Sequence, residues 1–190
     1  MPDDPFLDVI QCVVEHLDRH KVPYAITGSV ASGVHGEPVQ SQDVDIALRM
    51  LPSQARALAA SLPERFFRSA EHLEEVAREG GMANLIDSRT GLKIDLSVLE
   101  QTPYFNEVMA RRVLMPFDPQ GPSFYVVTAE DIILMKLLWR RESRSEKQWS
   151  NALSVARVKR ATLDWKYLLE QARSLGIEDD LVKLRDEAGI

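Results

Sequence analysis

The sequence predicts an α+β fold: a small mixed sheet flanked by helices over residues 1–127, then an all-helical region over 128–190. Three observations carry the prediction. Residues 5–20 form an amphipathic helix. Two stretches, 43–50 and 82–99, alternate apolar and polar residues with the period of a strand. From residue 128 onward the periodicity is helical, with no further alternating run.

The elements follow in order. Phe6, Val9, Ile10, Val13, Val14 and Leu17 share one helical face, and Pro5 suits a first turn. YAIT at 24–27 is a short apolar strand, and GSVASGVHG at 28–36 is a turn with room for one short helix. In DVDIALRM, Val44, Ile46 and Leu48 point one way, whereas Asp43, Asp45 and Ala47 point the other. A proline opens the helix at 52–61, and a short strand and a second helix fill 64–80. Ser88-Arg89-Thr90-Gly91 separates two alternating runs as a hairpin loop. In the second run Ile94, Leu96 and Val98 share one face, and Lys93, Asp95 and Ser97 the other. A short helix at 103–112 and strands near 113–117 and 123–127 complete the first region. Thr128-Ala129-Glu130-Asp131 resembles a capping box with Asp in place of the usual Glu. It opens a helix followed by three more, at 146–158, 162–175 and 178–188.

Composition narrows the function. At 190 residues, 45% hydrophobic and 27% charged, the chain buries a core without staples. The single cysteine, Cys12, excludes an internal disulfide, which fits a reducing compartment. With no signal-peptide layout and no bilayer-length apolar run, the expectation is a soluble cytoplasmic protein. A net charge of −6 argues against coating nucleic acid, although residues 136–173 hold ten Lys and Arg against four Asp and Glu. That basic stretch reads as solvated helix faces.

The chemistry lies in three carboxylates and a Gly-Ser. Carboxylates avoid strands of buried character unless something pairs with them. Asp43 and Asp45, two apart on one strand, project on one face. Asp95 interrupts a second alternation and supplies the further oxygens that a site for divalent cations needs. Gly28 lets backbone approach a phosphate closely, Ser29 adds a hydroxyl donor, and the N–H groups that follow open a helix suited to anions.

The segment from Gly28-Ser29 to Asp43-Val44-Asp45-Ile46, with Lys93-Ile94-Asp95-Leu96-Ser97 later, resembles the signature of the DNA polymerase beta-like nucleotidyltransferase superfamily. Gly36-Glu37-Pro38 before the aspartates, and Thr128-Ala129-Glu130-Asp131 followed by Lys136, are similar to the branch near minimal nucleotidyltransferases and abortive-infection toxin–antitoxin proteins. The resemblance implies a nucleotidyltransferase palm. It implies transfer of a nucleoside monophosphate from an NTP to an acceptor, with Mg2+ or Mn2+ held by Asp43, Asp45 and Asp95. The acceptor is a small molecule, a protein or an RNA end; a partner protein or a homo-oligomer fits the branch. The chain departs from the branch at Val39, Ser41 and Asn151, where arginine, threonine and aspartate are usual.

Other residues read more simply. Lys136 either reaches a phosphate as a point charge or snorkels from an apolar helix. Arg49 reads as a surface charge, His35 as a non-ligand, Cys12 as core and Asp87 as a turn residue. Trp139, Trp149 and Trp165 read as packing anchors. Two alternatives to transfer remain: a catalytically inactive binding module, and a phosphohydrolase using the same carboxylates.

Overall fold

The computed structural model describes residues 4–119 and 121–190, apart from the side chain of Glu142. It divides into two compact units, residues 1–26 with 41–126 and residues 27–40 with 127–190. Among the described residues, no helix is long and apolar enough to cross a membrane.

The first unit holds every strand of a seven-stranded mixed sheet and four helices. In chain order these are α1 (Pro5–Arg19), β1 (Tyr24–Ile26), β2 (Asp43–Leu48), α3 (Pro52–Ser61), β3 (Phe66–Phe67) and α4 (Ala70–Glu79). Next come β4 (Gly81–Asp87), β5 (Lys93–Val98), α5 (Pro103–Arg111), β6 (Val113–Pro116) and β7 (Ser123–Val126). The sheet order is β3-β4-β5-β2-β1-β7-β6. Two pairs are parallel, β2 with β5 and β1 with β7; the others are antiparallel.

One sheet face builds the core. Val44, Ile46, Leu48, Ile94, Leu96 and Leu85 are fully buried, as the alternation predicts. Val9, Ile10, Val13 and Leu17 of α1 are fully buried too, so the helical stripe is the one read from the sequence. Asp4 caps α1 by accepting from the Phe6 N–H, with Pro5 at the first helical position. Cys12 is only half-buried, beside that stripe rather than within it.

The second unit is helical: α2 (Gly28–His35), α6 (Ala129–Ser143), α7 (Glu146–Lys159), α8 (Trp165–Leu175) and α9 (Glu178–Ala188). Thr128 caps α6 by accepting from the Asp131 N–H at 3.2 Å. Asp131 is fully buried and accepts from the Thr128 hydroxyl at 2.8 Å and the Tyr167 hydroxyl at 2.6 Å, fastening α6 to α8. Trp149 is buried, donates to Glu187 at 3.1 Å, and carries Arg140 and Lys183 over its ring. Trp139 and Trp165 are half-buried.

His35 is buried, and its Nε2 donates to the Val127 carbonyl at 2.7 Å. Burial pushes its pKa below the ordinary 6.5. The unfolded chain therefore takes up a proton near pH 6.5 that the folded chain refuses until lower pH. The stability His35 contributes is present in full above the unfolded value and is lost as pH falls from there toward the folded value. Urea denaturation at pH 7.5 and pH 5.5 measures this: the wild type loses more stability across the interval than His35→Gln does.

Candidate functional site

Strand register assembles the carboxylates. β2 and β5 run parallel with Asp43 opposite Lys93 and Asp45 opposite Asp95. Paired residues share a sheet face, and side chains alternate along each strand. Asp43, Asp45, Lys93 and Asp95 therefore stand on one face, opposite the core. On the next strand Asn84 lies directly across from Asp95 and joins the same face.

Each acid has polar company. The Ser41 hydroxyl donates to Asp43 Oδ1 at 2.7 Å. Asp95 is buried, and both of its oxygens are engaged: Oδ1 accepts a short hydrogen bond from Asn84 Nδ2, and Oδ2 lies 2.8 Å from Lys93 Nζ. The pKa of Lys93 is raised above its ordinary 10.5 by its hydrogen bond to Asp95 and then by the charges of Asp95, Asp43 and Asp45. All three carboxylates thus act on a single cation, the Lys93 ammonium. Asn84 was not legible as a site residue one position at a time. The signal was the hairpin's symmetry: counting back from the Ser88–Gly91 loop pairs Asn84 with Asp95.

That focus is the test of fit for a divalent metal. The donors are hard oxygens on two adjacent strands, and a cationic group already sits in their shared field, so the set fits magnesium or manganese chemically. Among the described residues, no group of three His, Cys, Asp or Glu is already drawn together around one ion position. Asn84 and Lys93 engage both oxygens of Asp95, and Ser41 engages one oxygen of Asp43.

Gly28 and Ser29 open α2 in the helical unit, two residues after β1 ends. Gly28 has φ +65°, a left-handed conformation that disfavours a side chain. Thr27 precedes the helix without a side-chain cap and points its hydroxyl at the Met135 sulfur instead. The first N–H groups of α2 consequently lack both a helical acceptor and a capping oxygen from Thr27. Gly28→Ala costs about 1 kcal/mol of stability through forced positive φ, measurable by urea denaturation.

Lys136 in α6 is buried, with its ammonium 5.1 Å from the Trp139 ring centroid. Asn151 in α7 is buried, and its Nδ2 finds no hydrogen-bond acceptor among the described residues. Arg49 departs from the surface charge expected: it is half-buried, with Nε and one terminal nitrogen shut off from solvent.

Comparison with solved structures places the fold. The chain superposes on a nucleotidyltransferase-like antigenic protein from Paracoccidioides brasiliensis with a TM-score of 0.58 at 15% identity, covering 97% of this chain and 93% of that one. It superposes on the antibiotic-resistance factor ANT(2'')-Ia with a TM-score of 0.53 at 12% identity, covering 95% and 98%. No protein-family profile matches the sequence, and no curated protein matches it significantly. The architecture is that of the nucleotidyltransferase fold.

Proposed function

We propose that this nucleotidyltransferase-fold chain moves a nucleoside monophosphate from an NTP to an acceptor hydroxyl, with release of pyrophosphate. The observation that carries the reading is the register of β2 and β5, which sets Asp45 opposite Asp95 with Asp43 on the same face. In the reaction the acceptor oxygen bonds to the α-phosphorus and the bond to the bridging oxygen of the β-phosphate breaks. The acceptor proton passes to Asp95 or to water.

Asp43 and Asp45 would hold a divalent ion, and Asp95 would complete its ligand set and orient the acceptor. A bound Mg2+ or Mn2+ supplies charge neutralisation of the phosphate oxygens and of the leaving pyrophosphate. Asn84 orients one oxygen of Asp95 and Lys93 neutralises the other. In the helical unit, taken by itself, Gly28 and Ser29 carry backbone N–H groups and a hydroxyl of the kind that binds phosphate, and Lys136 carries a cation of the same use.

The experiment is direct. The protein is incubated with Mg2+ or Mn2+, α-labelled NTPs and a host lysate, beside an Asp43→Ala/Asp45→Ala variant. Label on an acceptor with the wild type alone supports transfer. Free monophosphate without labelled acceptor supports hydrolysis and overturns the proposal.

A second reading is favoured by the Lys93–Asp95 pair and by the buried Asn151 where the branch carries aspartate. In it the chain binds nucleotide or a partner without turnover. Nucleotide binding that is indifferent to metal removal, with no product, supports that alternative.

A further inference from the structure

The two edges of the sheet are finished differently. β3, at one edge, is two residues long. The Arg65 carbonyl accepts from the Ser88 N–H at 2.8 Å, so Arg65 and Phe67 bond inward and Phe66 faces outward. Both outward groups of Phe66 are occupied. Its N–H donates to the Pro63 carbonyl at 3.0 Å, and its carbonyl accepts from Arg68 at 2.7 Å. That edge has nothing left to offer a further strand.

β6, at the other edge, is four residues long and open. The Phe117 N–H donates to the Pro122 carbonyl at 3.2 Å, across the β6–β7 hairpin. Inward bonding alternates along an antiparallel strand, so Met115 and Val113 also bond to β7, whereas Leu114 and Pro116 face outward. The Tyr125 N–H agrees. Tyr125 lies opposite Leu114, and its N–H points at the Tyr24 hydroxyl of β1, not at β6. Val113 and Leu114 point to opposite sheet faces, yet they are 38% and 59% exposed, so neither face is covered where the strand begins. Natural edges discourage pairing with charged side chains, and β6 carries none. Pro116 guards only its far end.

We propose that β6 pairs with β6 of a second copy of this chain, antiparallel, about a two-fold axis at Leu114. In that register the two Leu114 residues exchange both of their N–H···O bonds. Arg112 is extended (φ −50°, ψ 143°), and its N–H donates to the Pro116 carbonyl of the other copy, so the proline's missing donor costs no central bond. Charge runs the same way. Arg111 and Arg112 precede the strand and Asp118 follows it, so each basic end lies beside the other copy's acidic end. Because β3 is closed, each copy has a single open edge and the assembly stops at two. The paired segment buries less than the roughly 800 Å² per partner of a standard interface, so the dimer is weak and concentration-dependent. It stands whether or not nucleotidyl transfer occurs.

The test follows the full chain by sedimentation at protein concentrations up to about 1 mM. The mean mass of the wild type rises from 21.5 kDa toward twice that value. Leu114→Pro deletes the central donor at an outward edge position and weakens the dimer at least about tenfold. Cross-linking in a Cys12→Ser background locates the axis. Directly paired residues sit about 5.5 Å apart at Cα, so Leu114→Cys closes a disulfide between copies. The two Val113 residues stand two register positions apart, beyond the roughly 7 Å limit, so Val113→Cys does not. In the wild type the Leu114 amide exchanges its hydrogen more slowly as concentration rises, a readout that survives if a variant fails to fold. A monomer throughout the series, a dimer unaffected by Leu114→Pro, equal cross-linking at Val113 and Leu114, or an unprotected Leu114 amide each overturns the proposal.

Discussion

The Asp43→Asn/Asp45→Asn variant is expected to lose the proposed nucleotidyl transfer by at least roughly 10²–10³-fold, the scale set by losing one preorganised electrostatic contact with the transition state. Both side chains lie on the face opposite the core, so the apolar packing of Val44, Ile46 and Leu48 is untouched. Asparagine keeps the size and removes the charge. The loss therefore falls on turnover, not on folding, and circular dichroism separates the two. A second readout needs no substrate. The charges of Asp43 and Asp45 help raise the Lys93 pKa, so the variant's Lys93 titrates lower than the wild type's, as followed by NMR of its side chain. Unchanged transfer in the variant removes the carboxylates from the chemistry; an unchanged Lys93 titration removes them from a common field.

The largest stability effect is expected at Asp87. Its side chain is fully buried at the end of β4, where Oδ2 accepts from the Thr90 N–H at 3.1 Å and the Thr90 hydroxyl at 2.8 Å. Oδ1 lies 3.5 Å from Arg65 Nε and 3.8 Å from Arg89 Nε. Asp87→Ala removes the turn's internal acceptor and leaves the Arg65 guanidinium short of a counter-charge. The cost is about 3 kcal/mol, at the low end for breaking a buried pair, because Arg65 and Arg89 both retain Asp8. For a chain of this size the Tm falls by about 6–12 °C. Asp87→Asn, which keeps an acceptor oxygen for Thr90, loses less. A drop in Tm below about 2 °C in Asp87→Ala assigns the residue to the loop alone.

Legibility followed the range of the interactions. Period-two alternation identified β2 and β5 because one face of each must be apolar, and the same alternation set Asp43, Asp45 and Asp95 apart from the core. Asp87 was legible as a turn residue from its place before Ser88, but its ion pairs were not, since Arg65 and Asp8 lie far away in sequence. The parallel direction of β2 and β5 has no local signature; the acids on the polar side of each strand point to a shared site without fixing how the strands run. The width of the sheet was invisible for the same reason, since β7 joins β1 through one parallel contact, Ile26 with Val126. Arg49 reads as a surface charge because a charged residue after a strand usually ends in solvent; its half-burial depends on tertiary packing, which leaves no local signal.

Asp45 and Asp95 touch the same pairing position although fifty positions of chain separate them. Closing so long an excursion is entropically costly, and contacts of this separation form late and slowly. A chain emerging from the ribosome thus exposes its first two acids well before the third exists. Until β5 is extruded and zips alongside β2, the nascent polypeptide has no complete acidic triad.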